Sequence, residues 1–239
     1  LARKGELDKA IDKLEDAIKA YNEALNKTEG RYTEAWNNKG IALSIMAEIL
    51  ARKGELDKAI DKLEDAIKAY NEALNITEEG DVKAWYNKGI VLQTMAEILA
   101  RKGELDKAID KLEDAIKAYD KALNRTKGRY IKALYNKGIA LSTMAEIFKE
   151  EGISKSARDA LSDAKNCFAN AYNLAGTEFY LLSFLTFLAN SFPLALSISR
   201  DFACEFAFDA YEIIMVNPKL ILLFIRFLRS YEEFCKSSS

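Results

Sequence analysis

The 26 residues LARKGELDKAIDKLEDAIKAYNEALN stand at positions 1–26 and return letter for letter at 50–75. They return again at 99–124 with two changes, Asp120 for Asn71 and Lys121 for Glu72. The spacing is 49 residues both times. A long fixed period builds a stack of like units, each packed on its neighbours. It therefore predicts a solenoid, which offers a surface rather than an enclosed pocket.

One full unit runs from Thr33 to Asn75. Trp36, Gly40, Leu43, Ala47 and Leu50 recur at steps of four and three, one face of an amphipathic helix. Lys53-Gly54-Glu55 breaks it, and a second helix follows from about Leu56 to Leu74. That helix carries a heptad row of alanines, Ala59, Ala66 and Ala73. Rows of large residues flank it: Leu56, Leu63 and Tyr70 on one side, Ile60, Ile67 and Leu74 on the other. A neighbouring helix can approach closely along the alanines. The remaining face holds Asp57, Lys58, Asp61, Lys62, Glu64, Asp65 and Lys68, which reads as a solvated surface with Glu64 and Lys68 paired at i,i+4.

The unit resembles the tetratricopeptide repeat. Trp36, Gly40 and Ala59 stand where that family's pattern has Trp, Gly and Ala, and KGELDKA is similar to its hairpin turn. Trp85, Gly89 and Ala108 repeat the match, and Leu134, Gly138 and Ala157 follow in a third unit. Lys39 and Leu43 depart from the family's Leu and Tyr. The period also exceeds the family's by about fifteen residues, roughly one heptad per helix. Helices of about 20 residues would then be ~30 Å long. The resemblance implies an all-α, right-handed superhelical solenoid of antiparallel helix pairs, with about ten helices. Residues 1–174 read as the array: an unpaired second helix, then three pairs, the last divergent. The chain opens inside a repeat and without Met, so further repeats are expected upstream.

Residues 175–239 read as a divergent, aromatic-rich cap, since ten of the twelve phenylalanines lie between Phe179 and Phe234. Helices are expected over 177–191 and 195–215, with Asn190-Ser191-Phe192-Pro193 as the break, and over 219–236. Phe179 to Ser199 carries no charge for 21 positions, long enough to span a bilayer. Asn190, Pro193 and four serines within it favour buried helices instead. The last helix is apolar on several faces, so Phe224, Phe227, Leu228 and Tyr231 are expected to form a homodimer interface.

The composition removes several functions. Acidic and basic side chains balance, 37 against 35, which argues against a nucleic-acid face. Histidine is absent, and with it the commonest general base and metal ligand. Cys167, Cys204 and Cys235 have no paired ligand spacing and read as buried thiols in a reducing compartment. No phosphate loop or calcium loop is present. The expectation is no enzyme, no metal and no cofactor.

A binding surface remains. In the resembled family the first helix of each pair lines the concave face. The resemblance so places Glu34, Asn37, Asn38, Lys83, Tyr86, Asn87, Lys132, Tyr135 and Asn136 in a peptide groove. Asn38, Asn87 and Asn136 offer amide donors and acceptors, and the two tyrosines flat area with a hydroxyl. Packing of those tyrosines on the next repeat is the competing reading. A chaperone carboxylate clamp, known in some members, is matched at only two of five positions, Asn87 and Lys132. The expected role is a scaffold for a protein or peptide partner. Self-assembly through the apolar C-terminal helices is the alternative, and peripheral membrane attachment through residues 177–235 a weaker one. A cytoplasmic location is expected, and the wording at 85–89 resembles archaeal members of the family.

Overall fold

The computed structural model describes residues 2–78, 80–176, 178–199, 202, 203 and 206. Among the described residues there are eight helices and no strand: α1 Ala2–Lys27, α2 Thr33–Arg52, α3 Leu56–Ile76, α4 Val82–Arg101, α5 Leu105–Arg125, α6 Ile131–Glu150, α7 Ser154–Ala175 and α8 Glu178–Ile198. The expected count of about ten is thus eight here. The expected helix over 219–236, with Phe224, Phe227, Leu228 and Tyr231, lies outside the described residues, as do Cys204 and Cys235. Cys167 is buried. No described helix is long and apolar enough to cross a membrane. The chain forms two compact units, 1–136 and 137–239, with the boundary inside α6.

In the first unit, α2 with α3 and α4 with α5 form antiparallel hairpins. Each turn is built by the expected glycine: Gly54 takes φ +82°, and Glu55 N donates to Leu50 O at 2.9 Å. That left-handed glycine with a bond back across the last turn satisfies carbonyls which the helix end leaves free. Gly103 repeats it at φ +78°. The alanine row does what its spacing predicts, with Ala59, Ala66 and Ala73 at 0 % exposure.

The hairpins interlock through one glycine and one aromatic ring. A Cβ on Gly40 would lie 2.7 Å from the Tyr70 ring, and one on Gly89 2.5 Å from the Tyr119 ring. Both tyrosines are fully buried. The helix tolerates glycine here because nothing larger lets the ring cross it.

The charged face of the second helices is largely exposed and also supplies partners to the hairpin turns. Lys53 Nζ meets Asp8 Oδ1 at 2.7 Å, and 49 residues on Lys102 Nζ meets Asp57 Oδ1 at 2.7 Å. Each lysine sits in a hairpin turn and reaches back to the preceding second helix. Glu55 and Glu104 complete the clusters at 3.1 and 2.9 Å. Lys68 pairs with Asp65 at 3.0 Å rather than with Glu64. Asp65 is the less exposed acid and also faces Lys39 across the cleft beside α2, so it collects the cations.

The second unit has an aromatic core. Phe168 of α7 takes the place of the tyrosines, 2.9 Å from a Cβ built on Gly138. Its ring lies 4.6 Å from that of Phe187, which is 6.1 Å from Phe206. α8 does not break at residues 190–193; it runs as one helix through Pro193. The reason lies in its burial pattern. Phe184, Phe187, Leu188, Ser191 and Ala195 are buried at helical spacing on both sides of the proline, whereas Pro193 is exposed. A buried, mostly apolar stripe that continues past the proline offsets the roughly 3 kcal/mol that an interior proline costs.

Candidate functional site

All nine groove residues expected from the sequence lie in the first unit. The structure divides them into two sets. Glu34, Asn38, Lys83 and Lys132 are exposed and Asn87 half-buried, on the faces of α2, α4 and α6 turned away from the second helices. On α2 the exposed residues continue from Asn38 through Ile41, Ile45, Glu48 and Arg52 at steps of three and four. That is one helical face. Ile41 and Ile45 are 39 % and 42 % exposed. The equivalent stripe on α4 is Lys83, Asn87, Ile90, Thr94, Glu97 and Arg101. The two stripes meet at a cleft lined by Glu48, Arg52, Thr94, Glu97 and Arg101.

The second set is engaged in the joints between repeats. Asn37 Nδ2 donates to Asp81 Oδ2 at 2.6 Å, and Asn37 Oδ1 is buried without a hydrogen-bond partner. Asp81 is also the N-cap of α4, its Oδ1 accepting from Lys83 N at 2.8 Å and Ala84 N at 3.1 Å. In the next joint Tyr86 occupies the place of Asn37. Its ring meets Tyr130 edge-on at 5.0 Å and Tyr119 at 6.1 Å, and its hydroxyl accepts from Asn136 Nδ2 at 3.1 Å. Tyr135 is half-buried and also makes contacts of its own. Packing on the next repeat, the competing reading for the tyrosines, thus describes Tyr86.

Two further positions that vary between units serve the core. Tyr119 Oη donates to Gln93 Oε1 at 3.0 Å, and Tyr70 is hydrogen-bonded to Ser44, the residue equivalent to Gln93. Burial pushes both phenols up from their ordinary value. In the third unit Phe168 has no hydroxyl, and Ser142 Oγ instead donates to Gly138 O at 2.9 Å.

The sequence reading missed Glu48, Arg52, Glu97 and Arg101. Their signal was available: they continue the i,i+3/i+4 steps begun at Asn38 and Asn87. The departure at Lys39 is explained on the opposite face of α2. Its Nζ lies 5.0 Å over the Trp36 ring, and Lys88 repeats this at 5.1 Å over Trp85. Burial lowers the Lys39 pKa, partly offset by Asp65.

Paired helices repeated at a fixed period, with one face packed and one left open, define a helical-repeat protein. Residues 38–121 match the family model described as tetratricopeptide repeat. Repeats of this class serve in general as protein-interaction scaffolds. The crystal structure of BtubC (BKLC) from P. vanneervenii is similar over 86 % of this chain and 92 % of that one, at 12 % identity and a TM-score of 0.34. The crystal structure of YrrB, described as a TPR protein with an unusual peptide-binding site, is similar over 87 % of this chain and 99 % of that one, at 17 % identity and a TM-score of 0.24. No curated protein matches the chain.

Proposed function

We propose that the chain is a non-catalytic scaffold that holds an amphipathic peptide or partner helix along the open stripes of α2 and α4. The observation that carries this reading is the pair Ile41 and Ile45, both more than a third exposed on a helix whose other face is fully used in packing. Adjacent exposed isoleucines lose free energy to water that a partner's apolar side chains recover, about 25 cal/mol per Å² covered. Asn38 and Asn87 flank them with groups able to pair with a peptide backbone. Lys83 and Lys132 favour acidic residues at one end, while Glu48, Arg52, Glu97 and Arg101 present both signs at the other.

Selection from a random peptide display library, followed by titration of the winners, tests this. Ile45→Asp places a charge in the stripe without touching the core. The expected result is at least a tenfold weaker affinity at unchanged thermal stability. Winners that bind Ile45→Asp as tightly as the parent chain would overturn the stripe as the site.

A further inference from the structure

Lys39 stands where the tetratricopeptide pattern has Leu, and it is half-buried. Its Nζ lies 5.0 Å over the Trp36 ring. Both residues line a cleft of about 570 Å³ between α1 and α3, floored by Leu43 and Met46 of α2. Ile18, on the α1 wall of this cleft, is half-buried. So is its counterpart Ile67 in α3, which has α2 packed on one side and α4 on the other.

Six other charged residues line the cleft: Glu15 and Lys19 from α1, and Lys62, Asp65, Lys68 and Glu72 from α3. Lys19 is paired with Asp16 at 3.2 Å and Lys68 with Asp65 at 3.0 Å. Among the described residues Lys39 and Lys62 make no hydrogen bond and no ion pair. The equivalent of Lys39 in the next repeat is held differently, since Lys88 Nζ donates to Asn71 Oδ1 at 2.7 Å. Asn22, the counterpart of Asn71, lines the cleft without such a bond to Lys39. Burial on the Trp36 ring favours the neutral amine of Lys39, and Asp65 opposes it in part. The neutral amine carries the lone pair that makes a lysine nucleophilic.

We propose that Lys39 is a modification site that takes the acyl group of a small acyl phosphate. The Nζ lone pair attacks the carbonyl carbon. The bond from that carbon to the phosphate oxygen breaks, and phosphate leaves with the electron pair. The nitrogen gives up its proton to solvent, and a neutral amide replaces the amine. Lys62, the unpaired cation on the α3 wall, attracts the phosphate and steadies it as it leaves. The amide then lies over Trp36 without burying a charge. The cleft is on the opposite face of α2 from Ile41 and Ile45, so this site is independent of the peptide groove.

The test is incubation of the intact chain with acetyl phosphate over a pH series, followed by tryptic mass spectrometry. The first helices differ in sequence, so the peptides that carry Lys39, Lys83 and Lys88 are told apart. Lys39 should be acetylated several-fold faster than the exposed Lys83 and the hydrogen-bonded Lys88. Its rate should level off at a lower pH than that of an ordinary lysine amine. Lys62→Gln should slow the reaction with acetyl phosphate and leave that with uncharged N-acetylimidazole unchanged. Acetylation of Lys39 no faster than that of Lys83 overturns the proposal. So does a preference that Lys62→Gln leaves undiminished, since the cleft would then not select the phosphate.

Discussion

Asn37 gives its Nδ2 hydrogen to Asp81 Oδ2 at 2.6 Å, across 44 residues of chain. The residues 49 positions later are Tyr86 and Tyr130, whose rings meet edge-on at 5.0 Å. One joint of the repeat is thus polar and the next aromatic, in one backbone setting. Asp81 also caps α4. Asp81→Ala should therefore lose about 1 kcal/mol for the cap and about 1.5 kcal/mol for the bond to a charged acceptor. Asp81→Asn, which can still cap, should lose less. Urea unfolding monitored by Trp fluorescence measures both.

The two joints should be exchangeable only as pairs. Asn37→Tyr alone sets a phenol against the Asp81 carboxylate, and Asp81→Tyr alone strips the Asn37 amide of its acceptor. The double variant rebuilds the aromatic joint and removes the buried, unpartnered Asn37 Oδ1. A double-mutant cycle should give a favourable coupling of about 1 kcal/mol. Additive losses would mean that the joints are not equivalent.

Glycine-to-alanine changes should differ in sign by position. Gly5→Ala should stabilise by about 1 kcal/mol, because Gly5 is helical with nothing within 4 Å of an added Cβ. Gly54→Ala should destabilise by about 1 kcal/mol at its φ of +82°. Gly89→Ala should cost about 1–3 kcal/mol, since the new methyl meets the Tyr119 ring. Thermal melts of the three variants read the order directly.

The hairpin clusters should make stability fall in acid. Hydrogen bonds from Lys107 and then Lys102 hold the Glu104 carboxyl down to about 2, from an ordinary 4.5. A depressed carboxylate contributes stability above its unfolded pKa and loses it as pH falls through the folded one. Glu104→Gln should therefore melt below the parent chain at pH 7. The gap should close between about pH 4.5 and pH 2. High salt should narrow it as well, because the cluster is partly exposed.

The packing of single hairpins was legible in the sequence. The alanine row, the glycine at the turn and the apolar face of α2 all follow from periods of 3.6 and 7 that local geometry enforces. The candidate stripe was legible in part. Asn38 and Asn87 were found because they repeat, whereas Glu48 and Arg52 continue the same helical steps without being read with them. Tyr86 and Asn37 misled because exposure depends on what the next repeat brings to within 3–5 Å, and no pattern along one helix contains that.

The repeat by itself determined helix pairs, their lengths, and which face of each is apolar. Tertiary structure decided how identical letters are used. ARKGELD is a straight helix at residues 2–8 and a sharp turn at 51–57. Tyr21 stays half-open where Tyr70 is sealed. Local propensities are the same in every copy, so the difference comes from neighbours. At residues 51–57 a packed partner helix supplies burial that offsets the strain of the turn.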